Sequence, residues 1–204
     1  MKIATWNING VKARIDTVKS WLEQASPDIA CLQEIKSVDE NFPREDFEAL
    51  GYHVETHGQK GFNGVAILSK LPFDEVNRGL PGSDDDEQAR FIEGVFSVEG
   101  GALRVVSLYL PNGNPVDSPK FPYKLSWMER LHEWAKDRLA LEEPFILAGD
   151  YNVIPQPEDA RHPEVWIGDA LFRPESRAAF RRLVNLGLTE AIRSVTDAPD
   201  IYTF

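Results

Sequence analysis

Pro144-Phe145-Ile146-Leu147-Ala148-Gly149-Asp150-Tyr151-Asn152 is an apolar run that breaks into a polar turn. A short continuous apolar run bounded by turn residues is expected of a strand covered on both faces. Asp150 and Asn152 are two positions apart, so in extended chain their side chains face the same way. The same design recurs upstream. Asp28-Ile29-Ala30-Cys31-Leu32-Gln33-Glu34 is again almost wholly apolar and again ends polar. Residues 3–8, 52–56, 64–69, 91–98 and 103–110 read as further strands, separated by Gly and Pro clusters.

Helical spacing lies between them. Val11, Ile15, Val18, Leu22 and Ala25 share one face, and Ser26-Pro27 stops that helix. Leu125, Met128, Leu131, Ala135 and Leu139 mark a long amphipathic helix leading into Pro144. A third helix covers residues 176–186, with Gly187 as its expected C-cap. Strands following strands, with helices interspersed, suggest an α/β (α+β) protein: a four-layered sandwich of two mixed β-sheets packed face to face with helices outside. No repeat, low-complexity block or linker interrupts residues 1–204, so one domain is expected.

Composition narrows the class. The 204 residues, 42% hydrophobic and 27% charged, describe an ordinary globular protein. No signal peptide or membrane span is expected, and the single Cys31 fits a reducing, cytoplasmic setting. The net charge of −11 counts against a polyanionic partner. Part of that charge sits in Asp84-Asp85-Asp86-Glu87, expected to be a solvated loop, and a basic stripe can coexist with it.

Four strands end in polar residues: Asn7 with Asn9-Gly10, Gln33-Glu34, Tyr109 with Pro111-Asn112-Gly113, and Gly149-Asp150-Tyr151-Asn152. Each has a plain structural reading. Asn-Ile-Asn-Gly is a turn signature, Glu34 a solvated strand end, Tyr109 an amphipathic rim residue and Asp150–Asn152 an Asx-type turn. Taken together they offer more. Glu34 is a hard oxygen ligand with Asn7 as a neutral neighbour, a set suited to magnesium or manganese rather than zinc. Asp150 can take a proton, while Asn152 and Tyr109 can donate to phosphoryl oxygens.

The ordered motifs Trp6-Asn7-Ile8-Asn9-Gly10, Leu32-Gln33-Glu34-Ile35-Lys36, Gly61-Phe62-Asn63-Gly64, Arg90-Phe91, Tyr109-Leu110-Pro111-Asn112-Gly113 and Gly149-Asp150-Tyr151-Asn152 resemble those of exonuclease III-type apurinic endonucleases. These belong to the wider endonuclease/exonuclease/phosphatase superfamily. The resemblance implies a Mg²⁺-dependent (or Mn²⁺-dependent) DNA-repair hydrolase, acting 3′-to-5′ on duplex DNA and cutting 5′ to abasic sites. Its expected partner is double-stranded DNA with abasic sites or 3′ ends, engaged by a monomer away from membranes. It also implies residue roles. Glu34 becomes the main metal ligand, with Asn7, Asp150 and Asn152 around the ion. Asp150 orients or deprotonates water, Asn152 stabilises the transition state and Tyr109 contacts the scissile phosphate. Asn9, Lys36, Arg90 and Asn112 line the DNA channel.

The family pattern continues into further strands with another acidic residue and an Asp-His pair. His53, His57, His132 and His162 do not stand in that context and are expected to be structural or surface residues. A chain incomplete at its C-terminus, with impaired catalysis, is therefore expected. The alternatives are an inactive DNA-binding fragment, or a superfamily phosphodiesterase acting on RNA or phospholipid.

Overall fold

The computed structural model describes residues 1–196, 198 and 201–202. Among the described residues, eight strands make two four-stranded sheets. The first sheet holds β1 (Ile3–Asn7), β2 (Ile29–Gln33), β3 (His53–His57) and β4 (Val65–Ser69) in the order β1-β2-β4-β3. The second holds β5 (Glu75–Arg78), β6 (Phe91–Val98), β7 (Gly101–Tyr109) and β8 (Phe145–Asp150) in sequence order. Both sheets are mixed. β1 runs parallel to β2, and β7 parallel to β8, while the remaining neighbours are antiparallel.

Alternation explains the continuous apolar runs. On β2, Ile29 and Cys31 join Val65 and Ile67 of β4 and Ile92, Phe96 and Val105 of the second sheet in the core between sheets. Ala30 and Leu32 point the other way, with Ala66 and Leu68, into a second core. There they meet Val11, Val18 and Leu22 of helix α1 (Val11–Ala25) and Phe47 of the short helix α2 (Arg44–Glu48). Helix α1 ends at Ser26, whose φ of 45° is left-handed and whose N–H returns to the Leu22 carbonyl at 2.9 Å. That is the stop expected ahead of Pro27.

Contacts divide the chain into two compact units, Met1–Tyr109 with Leu141–Tyr151, and Leu110–Ala140 with Asn152–Phe204. Both sheets, α1 and α2 lie in the first unit. The second contains α3 (Lys120–Ala140) and α4 (Pro174–Val184), bridged by an Arg182–Glu129 ion pair at 2.7 Å. It also has a small cluster of Ile154, Ala160 and Leu171 packed with Trp166 and Phe172. Among the described residues, no helix is long and apolar enough to cross a membrane. The acidic run at 84–87 is a largely exposed turn.

Three expectations need correction. β8 is not a buried strand: none of its six residues is fully buried and Ile146 is 36% exposed, and among the described residues it also lies at the sheet edge. Its apolar run cannot reveal on its own whether a neighbour lies on each side. β5 and α2 escaped notice, because Glu75-Val76-Asn77-Arg78 is polar and α2 has only five residues, too few for a period. Gly187 is not the cap of α4. The cap is Asn185, and Gly187 follows two residues later at φ 116°.

Gly149 makes the β7–β8 pairing possible. A Cβ there would stand 2.0 Å from the Leu108 carbonyl oxygen, a backbone atom that cannot swing aside. Gly149→Ala should therefore pull β8 from β7 and cost at least about 1–3 kcal/mol, read from urea unfolding of both proteins. Superimposable unfolding curves would show that the close approach is not required.

Candidate active site

Parallel pairing places equivalent strand ends side by side, and each sheet has one such pair. Asn7 is in register with Gln33 in the first sheet, and Tyr109 with Asp150 in the second. Glu34 follows Gln33 directly. The two pairs finish at the same end of the sandwich, and their side chains meet across it. The Asn7 amide donates from Nδ2 to Glu34 Oε1 at 3.0 Å and to Asp150 Oδ2 at 2.8 Å. The Tyr109 hydroxyl donates to the same Glu34 Oε1 at 2.8 Å. Lys36 Nζ lies 3.0 Å from Glu34 Oε2 and also donates to Asn9 Oδ1.

The backbone that presents these groups is held in unusual conformations. Asn9, Glu34 and Lys36 have φ of 47°, 52° and 51°, a region that L side chains enter at a cost of about 1–3 kcal/mol each. Loops on either side hold the segment there. Gly10 N–H donates to Glu34 O at 2.7 Å and Val11 N–H to Ile35 O at 3.0 Å. From the opposite side, Ile35 N–H reaches Gly64 O at 3.1 Å and Lys36 N–H reaches Asn63 O at 3.0 Å. Gly64 has to be glycine, since a Cβ would meet Ile35 Cγ1 at 2.5 Å on a backbone of φ 83°.

Electrostatics follow from these contacts. Burial works against a charge on Glu34, yet hydrogen bonds from Asn7, Lys36 and Tyr109 together outweigh it and hold the carboxyl below its ordinary pKa. Burial, and then the bond to Glu34, push the Tyr109 phenol well above its usual range, so it stays a proton donor. Arg90 stacks its guanidinium 4.9 Å from the Tyr109 ring centroid and donates to the Tyr109 carbonyl at 3.2 Å.

Seven of the nine residues singled out in the sequence, Asn7, Asn9, Glu34, Lys36, Arg90, Tyr109 and Asp150, thus form one connected network within the first unit. Asn112 and Asn152 belong to the second unit, where Asn112 Nδ2 lies 3.4 Å from Asn152 Oδ1. Asn152 is 6% exposed, sits at φ 45° and donates from Nδ2 to Leu110 O at 2.8 Å.

Supporting residues went unrecognised. Gln33, 1% exposed, donates to Thr5 Oγ1 and to buried Ser107 Oγ, each at 3.1 Å, tying the strand before Glu34 to β1 and β7. Lys124 is fully buried in α3. Its signal was available: positions 124, 128, 131 and 135 form one helical stripe, and only the first is charged.

Among the described residues, Glu129, His132 and Glu133 could bring three ligand atoms within 4.8 Å of one another on α3. Glu129 is already paired with Arg182 at 2.7 Å, and Glu133 with Lys136 at 3.5 Å.

Comparison with known proteins identifies the family. Residues 4–199 match the model of the "Endonuclease/Exonuclease/phosphatase family". Exodeoxyribonuclease III of Haemophilus influenzae is 37% identical over 202 residues, spanning 96% of this chain and 76% of that protein. An AP endonuclease from Archaeoglobus fulgidus superposes with a TM-score of 0.89 at 36% identity, covering 95% of this chain and 74% of that one. The 3′ phosphatase NExo from Neisseria, solved with a product DNA hairpin, gives the same TM-score at 37% identity and the same coverage. The chain belongs to the endonuclease/exonuclease/phosphatase family.

Proposed function

We propose that this protein is a divalent-cation-dependent DNA phosphodiesterase, removing nucleotides 3′-to-5′ from duplex ends and cutting 5′ to abasic sites. The observation that carries the reading is the bridge Glu34···Asn7···Asp150, two carboxylates from different sheets held on one amide. The names of its relatives, exodeoxyribonuclease III and a 3′ phosphatase bound to DNA, support the substrate class.

The donor set fits a hard cation. Glu34 and Asp150 offer carboxylate oxygens, Asn7 Oδ1 is a neutral oxygen close by, and the Lys36 ammonium 3.0 Å from Glu34 Oε2 supports reading this carboxylate as a partner for positive charge. Bound Mg²⁺ (or Mn²⁺) supplies the charge that polarises a phosphoryl oxygen and neutralises the carboxylates. The protein does the rest. Asp150 would orient a water molecule and take its proton as the new P–O bond forms; the ester P–O bond breaks, and the departing sugar oxygen leaves as a hydroxyl after taking a proton from solvent. Tyr109, kept protonated, would turn its single O–H from Glu34 to a non-bridging phosphate oxygen when substrate binds. Asn152 adds an amide donor to the charge that develops at phosphorus. Lys36 and Arg90, with Asn9 and Asn112, contact the flanking phosphates, which gives an acidic protein a local basic strip.

Glu34→Gln keeps the shape but removes the charge. It should lower Mg²⁺ affinity in a calorimetric titration and abolish cleavage of an abasic duplex, as EDTA should for the unmodified protein. Unchanged metal affinity in the variant would remove Glu34 from the metal site.

Asp150→Asn should retain DNA binding and lose on the order of 10²–10⁴ in kcat. Lys36→Ala and Arg90→Ala should instead weaken binding and flatten its dependence on salt concentration. Loss of binding without loss of turnover in Asp150→Asn would reverse these assignments. Cleavage of RNA or phospholipid in preference to DNA would replace the substrate.

A further inference from the structure

We propose that Lys124 is a positioning residue: its buried ammonium fixes the loops that carry Asn112 and Asn152, and thereby the amide that acts at the phosphorus. The proposal rests on the role assigned to Asn152 above. Lys124 is 0% exposed. Its Nζ donates to three backbone carbonyls, Asn112 O at 3.1 Å, Asn152 O at 2.5 Å and Ala170 O at 3.3 Å. An ammonium can donate in several directions at once, and the carbonyls it reaches here come from three separate loops.

Burying a charge on an apolar helical stripe is expensive, and lysine is among the residues least often fully buried. Leu or Met would avoid that cost but would take the donor away from three loop carbonyls. What the ammonium alone supplies is a directed hold on the carbonyls. The hold acts on a residue in a left-handed conformation: Asn152 has φ 45°, and its side chain also donates to Leu110 O. Clamping the carbonyl of Asn152 and that of Asn112 from one point sets the distance between the two loops, whose side chains lie 3.4 Å apart.

Two neighbours are shaped around the clamp. Gly113 stands where a Cβ would come within 2.7 Å of Lys124 Cδ and 3.1 Å of Ala170 Cβ, so the glycine leaves room for the lysine stem. Ser176 Oγ donates to the Ala170 carbonyl at 2.6 Å, bracing the third acceptor from α4.

The test uses the full chain, Mg²⁺ and a duplex with a recessed 3′ end. Lys124→Met should lower kcat about 10- to 100-fold, the scale of a displacement near 1 Å, with KM little changed. Lys124→Arg, which restores the cation, should recover most of that loss at a melting temperature like the starting protein's. In an Asn152→Ala background the same Lys124→Met change should have almost no further effect, because the group it positions is gone. Undiminished kcat in Lys124→Met, or an equal loss with and without Asn152, overturns the positioning role. Failure of the unmodified chain to cut DNA would overturn the proposed function instead. The clamp is then judged by the Asn112 and Asn152 side-chain amide resonances, which should shift in Lys124→Met and return in Lys124→Arg. Resonances that stay in place overturn it.

Discussion

One side-chain amide ties the two sheets together at the candidate site. Asn7, at the end of β1, hydrogen-bonds Glu34 from its own sheet and Asp150 from the other, 143 residues away in sequence. Two carboxylates gathered on one amide repel each other, and what offsets the repulsion is a shell of donors: Asn7 itself, the Tyr109 hydroxyl and the Lys36 ammonium. That shell exists only because each sheet contributes one parallel strand pair, β1–β2 and β7–β8, ending at the same rim. The antiparallel strands make the sandwich, and the parallel ones aim it.

The strain around the rim follows from the same demand. Glu34 and Lys36 take left-handed backbone conformations because the chain must turn within a residue of β2 while its N–H and C=O groups bond to loops on both sides. Glycine would adopt that backbone at less cost but would carry no carboxylate or ammonium. Strain is tolerated where surrounding structure over-determines it, and the bonds from Gly10, Val11, Asn63 and Gly64 provide that constraint. Gly149 and Gly64 serve the converse need, letting backbones approach where any Cβ would collide.

Much of this was legible in the sequence, and the reasons differ by element. The apolar run at 28–34 announced a strand with two covered faces, and Ile29 and Cys31 do face one core while Ala30 and Leu32 face another. The run at 145–149 looks the same but belongs to an edge strand, since apolarity reports hydrophobic content and not neighbours. Glu75-Val76-Asn77-Arg78 pairs with β6 without any apolar pattern, because the ladder is made by the backbone, with Asn77 adding a side-chain bond to Glu93. The polar strand ends flagged the site residues, yet no spacing rule links Asn7 to Asp150. That contact is made by sheet packing and appears only in three dimensions. Lys124 lay on a helical stripe where a charge is out of place, a signal that apolar spacing passes over because it tallies only the apolar positions.

The proposed cation centre of the molecule is the rim at Glu34. The most direct measurement is an anomalous difference map from crystals soaked in Mn²⁺. It should show its strongest peak within bonding distance of a Glu34 carboxylate oxygen, close to Asp150 and Asn7. A peak on Glu129, His132 and Glu133 with none at Glu34 would contradict the account, leaving the bridged carboxylates as a structural hydrogen-bond cluster.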